Sequence, residues 1–411
     1  MRMFPVQIPF DAAQPRWEEI PAAAGVFALL GEDGRAEPYL SRTPNLRRRL
    51  RRLLDARPDQ TKRLQLAGRV ARIEYARTGS DFEALLRLYE ASAVVFGERA
   101  RKRLHLKPPF LLRMMMENAY PRIYVTNKVT KAGMDDLYGP FPSRAAAESW
   151  LDDLLDLFKL RRCVEELHPD PAFPGCVYSE MKKCLAPCFQ GCTDERYAEE
   201  AAAVRAFLRT RGTSLVTALR REREQASELL EFEKAAEVHA RLVRAEAVAH
   251  VAPEAVRALT ELNGVVVQPA AEEEHVALFR LARGQLRGPV LYSVAGMRHP
   301  NEAAGSTSLY AQPVAGLQPV PLEASAVTVA SRDELEERLA AALREAEPSE
   351  RRSNATIADH LCLLSRWFYR PQVKRTGELV FAEEDGTIPA KPVLRAISRV
   401  YRGASTRPGA E

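Results

Sequence analysis

The opening segment of this 411-residue chain, residues 1–20, has no apolar run long enough for a signal peptide or a membrane helix. The absence leads to the expectation of a cytoplasmic, thiol-reducing setting and no membrane partner. Cysteine is scarce, six residues in all, and no internal repeat is present. Charge of neither sign dominates, the net value being +5. Its placement is uneven. Residues 1–110 carry 21 Lys and Arg against 13 Asp and Glu, a net +8, whereas the rest carries 39 against 42 and is net −3. The basic excess points to an anionic partner for the N-terminal part, nucleic acid being the commonest. A solvated arginine-rich surface explains the same count.

What is present is concentrated. Cys163, Cys176, Cys184 and Cys188 lie in one stretch, RRCVEELHPDPAFPGCVYSEMKKCLAPCFQGC, separated by 12, 7 and 3 residues. Without a secretory signal, such a group is more often a metal or iron–sulfur site than a disulfide framework. Four thiolates suit iron–sulfur or zinc chemistry, and spacing alone does not choose. Reduced structural cysteines and a disulfide are the plain alternatives. Cys192 is a spare ligand, and Cys362, beside Leu361, Leu363 and Leu364, reads as core.

The length suits two or three domains, and the pattern along it predicts a multi-domain α/β protein. Gly25–Leu30 reads as a strand, Gly31-Glu-Asp-Gly34 as a hairpin turn, and a second strand reaches Tyr39-Leu40. A helix over 45–54 has Leu46, Leu50, Leu53 and Leu54 on one stripe and arginines elsewhere. Another helix begins at Asp81, capped by Ser80 or Asp81. Residues 106–195 give a Pro-rich bend, a strand over 122–126, a turn over 137–143 and a helix from Ser143 to about Leu160. Residues 196–252 read as a helical hairpin with Leu215, Leu219, Ala226 and Leu230 on one arm. Ala235, Ala236, His239, Leu242 and Val243 lie on the other. Beyond it come a strand over 264–268, a hairpin over 276–294, a loop over 301–325, helices over 331–347 and 357–369, and a frayed end. The expected domains are 1–105, 106–195, 196–252 and 253–411.

Four ordered motifs then carry a resemblance. The first is Gly25-Val26-Phe27, Tyr39-Leu40-Ser41 and Asn45-Leu46-Arg47-Arg48-Arg49-Leu50. The second is Tyr120-Pro121 with Tyr138-Gly139-Pro140-Phe141, and the third is the cysteine group with Lys183-Cys184-Leu-Ala-Pro-Cys188. The fourth runs from Ala226 through Ser227-Glu228-Leu229-Leu230-Glu231-Phe232-Glu233-Lys234-Ala235 to Ala236. Over its N-terminal two-thirds the chain resembles the UvrC excinuclease family of bacterial nucleotide excision repair. The first motif is similar to a GIY-YIG nuclease module and the fourth to the UVR motif through which UvrB and UvrC pair.

The resemblance implies a [4Fe–4S] cluster on Cys163, Cys176, Cys184 and Cys188, with zinc the alternative. It implies UvrB as a partner, met through Leu229, Leu230, Phe232, Ala235, Ala236 and Leu242. It implies damaged double-stranded DNA as the other, met through Arg42, Asn45, Arg47, Arg48, Arg51 and Arg52, although a solvated helix face explains those arginines equally. Tyr39 falls on the family's general base and Arg49 on its phosphate-binding arginine. Phe27 replaces a tyrosine, Ser41 a glycine, and Leu88 the glutamate that binds magnesium. A leucine offers no oxygen to that ion. Glu83 and Glu90 point about 140° and about 160° away from the side chain at 88 on an ideal helix. Gly97–Arg103 keeps only the basic character of the family's next segment.

The C-terminal region resembles the start of the family's second half. No Asp-Ile-Ser type strand and no Gly-rich hairpin pair is found, so an RNase H-like nuclease and helix-hairpin-helix elements are expected to be missing. Three functions follow. One is a repair protein that binds UvrB and DNA with an impaired nuclease module. The second is an active magnesium-dependent single-incision endonuclease, and the third is a regulator competing with full-length UvrC for UvrB.

Overall fold

A computed structural model describes residues 2–32, 36–55, 67–130, 134–297, 330–347 and 352–405. The expected turn over 31–34 falls partly, and the loop over 301–325 wholly, outside the described residues. No helix among the described residues is long and apolar enough to cross a membrane.

The N-terminal module contains β1 (Val6–Pro9), β2 (Gly25–Leu30), β3 (Tyr39–Thr43), α1 (Leu46–Leu54), β4 (Arg72–Arg77), α2 (Asp81–Phe96) and α3 (Arg99–Arg103). Its sheet has the order β1-β4-β2-β3 and is antiparallel throughout. Alternation along β2 sends Phe27 and Leu29 to one face, with α1, and Val26 and Ala28 to the other, with α2. The α1 helix starts where the Asn45 side chain accepts the Arg48 N–H at 2.8 Å. Its Leu46, Leu50 and Leu54 are buried on the sheet. Gly25 permits that packing, because a Cβ there would lie 2.4 Å from the Ala76 carbonyl oxygen.

The second unit has β5 (Phe110–Met114), β6 (Ile123–Thr126), β7 (Leu137–Phe141), α4 (Arg144–Leu157), the short α5 (Val177–Glu180) and α6 (Asp194–Arg209). The segment read as a turn over 137–143 is mostly the buried strand β7. Its glycine and prolines suggest a turn, but β5 on one side and β8 (Arg257–Ala258) on the other supply its hydrogen bonds. The strand β8 lies beyond the expected boundary at 252, so the chain returns to this sheet after the helical hairpin.

That hairpin is α7 (Thr213–Glu228) and α8 (Phe232–Val251). Leu219, Val238, Leu242 and Ala245 fill its seam. On α8 the buried stripe is therefore displaced from the expected one: Ala236, His239 and Val243 face solvent. Trp150 of α4 donates its indole N–H to the Val248 carbonyl at 3.0 Å and fixes the hairpin's base.

The C-terminal unit holds β9 (Gly264–Pro269), β10 (His275–Ala282), β11 (Gln285–Ser293), α9 (Arg332–Glu345), α10 (Asn354–Phe368), β12 (Glu378–Phe381) and α11 (Ala390–Ser405). Its antiparallel sheet is ordered β11-β10-β9-β12. Of the expected frayed end, residues 402–411, the first four close α11 and the rest lies outside the described residues; Val393, Ala396, Ile397 and Val400 of α11 are core. One hydrophobic core runs from α2 into this unit. The Phe82 ring lies 5.1 Å from Phe279 and 5.2 Å from Trp367. The helix α2 is thus buried on two sides, under the N-terminal sheet and against α10. Burying a side chain of this size contributes about 1.5–3 kcal/mol, so the two units are firmly joined.

Candidate nucleic-acid face and cysteine site

The arginines of α1 follow from its amphipathic pattern: three leucines occupy the sheet side and leave the remainder to water. Asn45, Arg47, Arg48, Arg51 and Arg52 line an open cleft of about 450 Å³, with Asp55 its one carboxylate. Arg47 is partly engaged by the chain itself, its Nε donating to the Ile20 carbonyl at 2.7 Å and its guanidinium lying 3.8 Å from Glu18. Arg48 and Arg52 form no ion pair among the described residues and present their charge to solvent. Such a surface suits a phosphate backbone, which carries no sequence information.

Arg42 lies elsewhere, at the end of β3 next to α2. It donates to one oxygen of Asp81, and Arg370, from just beyond α10, donates to the other at 2.9 Å. Burial, then the charges of Arg370 and Arg366, pull the Arg42 guanidinium below its ordinary pKa. Two arginines thus share one carboxylate at the junction of the two units, and the charge of a third, Arg366, is felt at Arg42. Arg366, Arg370 and Asp81 escape a reading of the sequence because Arg370 and Asp81 are 289 residues apart.

Tyr39 and Arg49 belong to the α1 side of the sheet. In the β2–β3 register Tyr39 faces Leu29, and its ring lies 6.1 Å from Phe27. Tyr39 is well exposed and Arg49 half-buried. The position expected to hold a metal-binding glutamate is on the other side: Leu88 is buried with Val26, Ala28, Ala76 and Ala84. The nearby carboxylates are otherwise engaged. Glu83 accepts from the Gly79 N–H at 3.0 Å and from Arg87 Nε at 2.8 Å. Burial raises its pKa, with Arg87 opposing the rise. Glu90 lies 3.8 Å from Arg352 of the C-terminal unit. Among the described residues no carboxylate bonds or ion-pairs with Tyr39 or Arg49.

The cysteine loop is wound tightly. Lys182, Ala186 and Gln190 have φ of 55°, 57° and 58°, and each stands two residues before a cysteine, at 184, 188 and 192. Left-handed residues other than glycine cost about 1 kcal/mol each, so the winding is imposed by its surroundings. One product is an N–H aimed at sulfur: Ala186 donates to Cys184 Sγ at 3.3 Å. The Arg161 guanidinium lies 3.6 Å from Cys163 Sγ. Burial drives the Cys184 thiol up to about 11, and the neighbouring Cys163, Cys176 and Cys188 push the same way. The four thiols therefore share one electrostatic site, while Cys192 feels Cys188 alone among them, after burial, Asp194 and Arg196. As they stand, no three His, Cys, Asp or Glu side chains among the described residues are in metal-ligating geometry. The donor set, four sulfurs with an N–H and a guanidinium directed at them, fits an anionic thiolate centre.

The hairpin's turn carries the remaining expected residues. Leu229, Leu230 and Phe232 are 70%, 70% and 69% exposed. Leu230 adopts φ 59°, a conformation that glycine or asparagine takes more easily. Ala235 is half-buried and Ala236 exposed, whereas Leu242, expected on the partner face, is turned into the seam.

Comparison with known proteins bears on the cysteine loop and the hairpin. Residues 110–207 match the middle domain of UvrC/Cho excinucleases, and all four clustered cysteines fall inside the match. Residues 213–248 match the UvrB/UvrC motif. The chain is 30% identical to the UvrABC system protein C of Idiomarina loihiensis over 221 residues, 52% of this chain and 34% of that one. It is 30% identical to that of Methylococcus capsulatus over 224 residues, 52% of this chain and 35% of that one. With that of Carboxydothermus hydrogenoformans it is 28% identical over 298 residues, 70% of this chain and 47% of the relative. The chain thus spans between about a third and a half of these relatives' lengths. No solved structure matches.

Proposed function

The chain belongs to the UvrC family, and from that premise we propose that it serves nucleotide excision repair by docking on UvrB through the α7–α8 turn and holding DNA on its N-terminal module without cutting it. The observation that carries the docking is the exposed apolar trio Leu229, Leu230 and Phe232, set in the matched motif on a rigid hairpin. Buried aromatic and aliphatic anchors at the centre of an interface carry most of its energy. A leucine kept in a left-handed position is costly within the fold, and a use outside the fold accounts for it.

Damaged duplex DNA is the ligand of the arginine face of α1 in this reading. In this reading the module corresponds to the family's GIY-YIG nuclease, with Tyr39 and Arg49 at its base and phosphate-binding positions. Phosphodiester hydrolysis of this kind also needs a metal held at the scissile phosphate. Leu88 supplies no ligand, and Glu83 and Glu90 are committed to Arg87 and Arg352. Cys163, Cys176, Cys184 and Cys188 would hold a [4Fe–4S] cluster, or zinc. Such a centre would cross-link the loop that joins α4 to α6.

The test is a titration of the full chain with UvrB by calorimetry. A Leu230→Ser/Phe232→Ser variant is expected to keep the fold and lose binding. Unchanged affinity in that variant, or no binding by the natural chain even at low salt, would overturn the docking.

A further inference from the structure

A second concentration of positive charge lies far along the chain, on α11. This helix contains Lys391, Arg395, Arg399 and Arg402 and no Asp or Glu. The spacings of four, four and three residues put the four cations on one stripe. The stripe is one wall of an open groove of about 450 Å³ whose other wall is α9, with Arg332 and Glu336. Glu336 is the groove's one lining carboxylate and is held by Arg332 at 2.6 Å. Arg399 bridges to both oxygens of Glu378 at 2.7 and 2.5 Å, and Arg402 donates to the Ser398 carbonyl at 3.2 Å. Lys391 and Arg395 are exposed, with no ion pair among the described residues.

We propose that the groove between α9 and α11 is a second binding surface for the phosphate backbone of duplex DNA. The stripe spans about 16 Å along the helix, long enough to meet more than one phosphate of a strand. Ser398 adds a hydroxyl between the cations, another usual backbone donor. A lipid surface is the other polyanion to weigh. Basic helices lie on membranes by burying an apolar face. That face of α11 is already spent: Val393, Ala396, Ile397 and Val400 are packed in the protein core. The charge therefore serves a partner that needs only cations and hydrogen bonds.

The inference rests on reading the chain as a DNA-handling protein, and two variants separate the claims. Anisotropy of a labelled duplex of arbitrary sequence is followed against salt for the full chain. Lys391→Gln/Arg395→Gln is expected to lower the log–log salt slope by about 1.8, or 0.9 per lost contact, and Arg48→Gln/Arg52→Gln to lower it separately. An α11 variant with the natural slope overturns the groove while leaving the α1 reading intact. A natural chain that binds no duplex at low salt overturns both. Both glutamines leave the buried face untouched, so an unchanged thermal midpoint is required of each variant. Salt-sensitive binding to phosphatidylserine vesicles, abolished by the same α11 variant without effect on DNA, also overturns the proposal.

Discussion

Tyr39 and Leu88 lie on opposite faces of one four-stranded sheet. Tyr39 faces Leu29 across the β2–β3 register, on the side of Phe27 and α1. Leu88 is buried with Val26 and Ala28 on the side of α2. A substitution at 88 therefore changes an apolar core, not a polar cleft. The first prediction follows. Leu88→Glu places a carboxylate among Val26 and four alanines and is expected to destabilise the chain by about 3 kcal/mol or more. It should yield no cleavage of DNA in magnesium. Thermal unfolding and a nicking assay on supercoiled plasmid check both parts, and a stable variant that nicks the plasmid would contradict the placement.

The left-handed turn gives a prediction that separates folding from docking. Leu230→Asn relieves the backbone strain at φ 59° and is expected to raise stability by up to about 1 kcal/mol. The same change removes an exposed apolar anchor and should weaken UvrB binding. Leu242→Ala should do the reverse at first sight: it opens the seam against Leu219 and Val238, costing about 2–5 kcal/mol, and affects binding only through unfolding. Melting curves and binding titrations of the two variants should thus move in opposite orders.

Asp81 restrains two cations, Arg42 and Arg370, at the junction of the N-terminal and C-terminal units. These side chains are roughly two-fifths exposed, so the pairs contribute little to stability, about 0–1 kcal/mol each. Asp81→Asn is expected to free both arginines, to raise affinity for duplex DNA and to steepen the salt slope by up to about 1.8. Anisotropy reads the change; a lower affinity would show that the carboxylate orients the arginines for DNA instead of withholding them.

The cysteine site makes a colour prediction. Protein purified without oxygen is expected to be brown and to carry about four irons per chain. Cys184→Ser should bleach it and loosen the 163–192 loop to proteolysis. A colourless chain with one zinc would assign the site to zinc, and a colourless metal-free chain resistant to proteolysis would leave the thiols as structure alone.

Local chemistry made much of this legible. The leucine stripe and Asn45 cap define α1, and Ser80, Ser143 and Ser331 cap α2, α4 and α9 where the sequence places them. Elements whose partners are distant were not legible. The strand β7 reads as a turn until β5 and β8 flank it, and β12 acquires its identity from β9, more than 100 residues earlier. Alanines and valines occupy more than one face of α8, so spacing alone does not show that Val238 and Ala245 point inward while Ala236 and Val243 point out. Of the residues proposed to face DNA, the α1 arginines could be read from one helix, whereas the Arg42–Asp81–Arg370 cluster requires the fold.

The central claim is retention of the partner-binding and DNA-facing surfaces without metal-dependent cleavage. The direct measurement is incision of a lesion-bearing duplex by the purified chain with UvrA, UvrB, ATP and magnesium. The account predicts that the chain joins the UvrB–DNA complex and that no strand is cut. Incision that Tyr39→Phe or Arg49→Ala abolishes would contradict it.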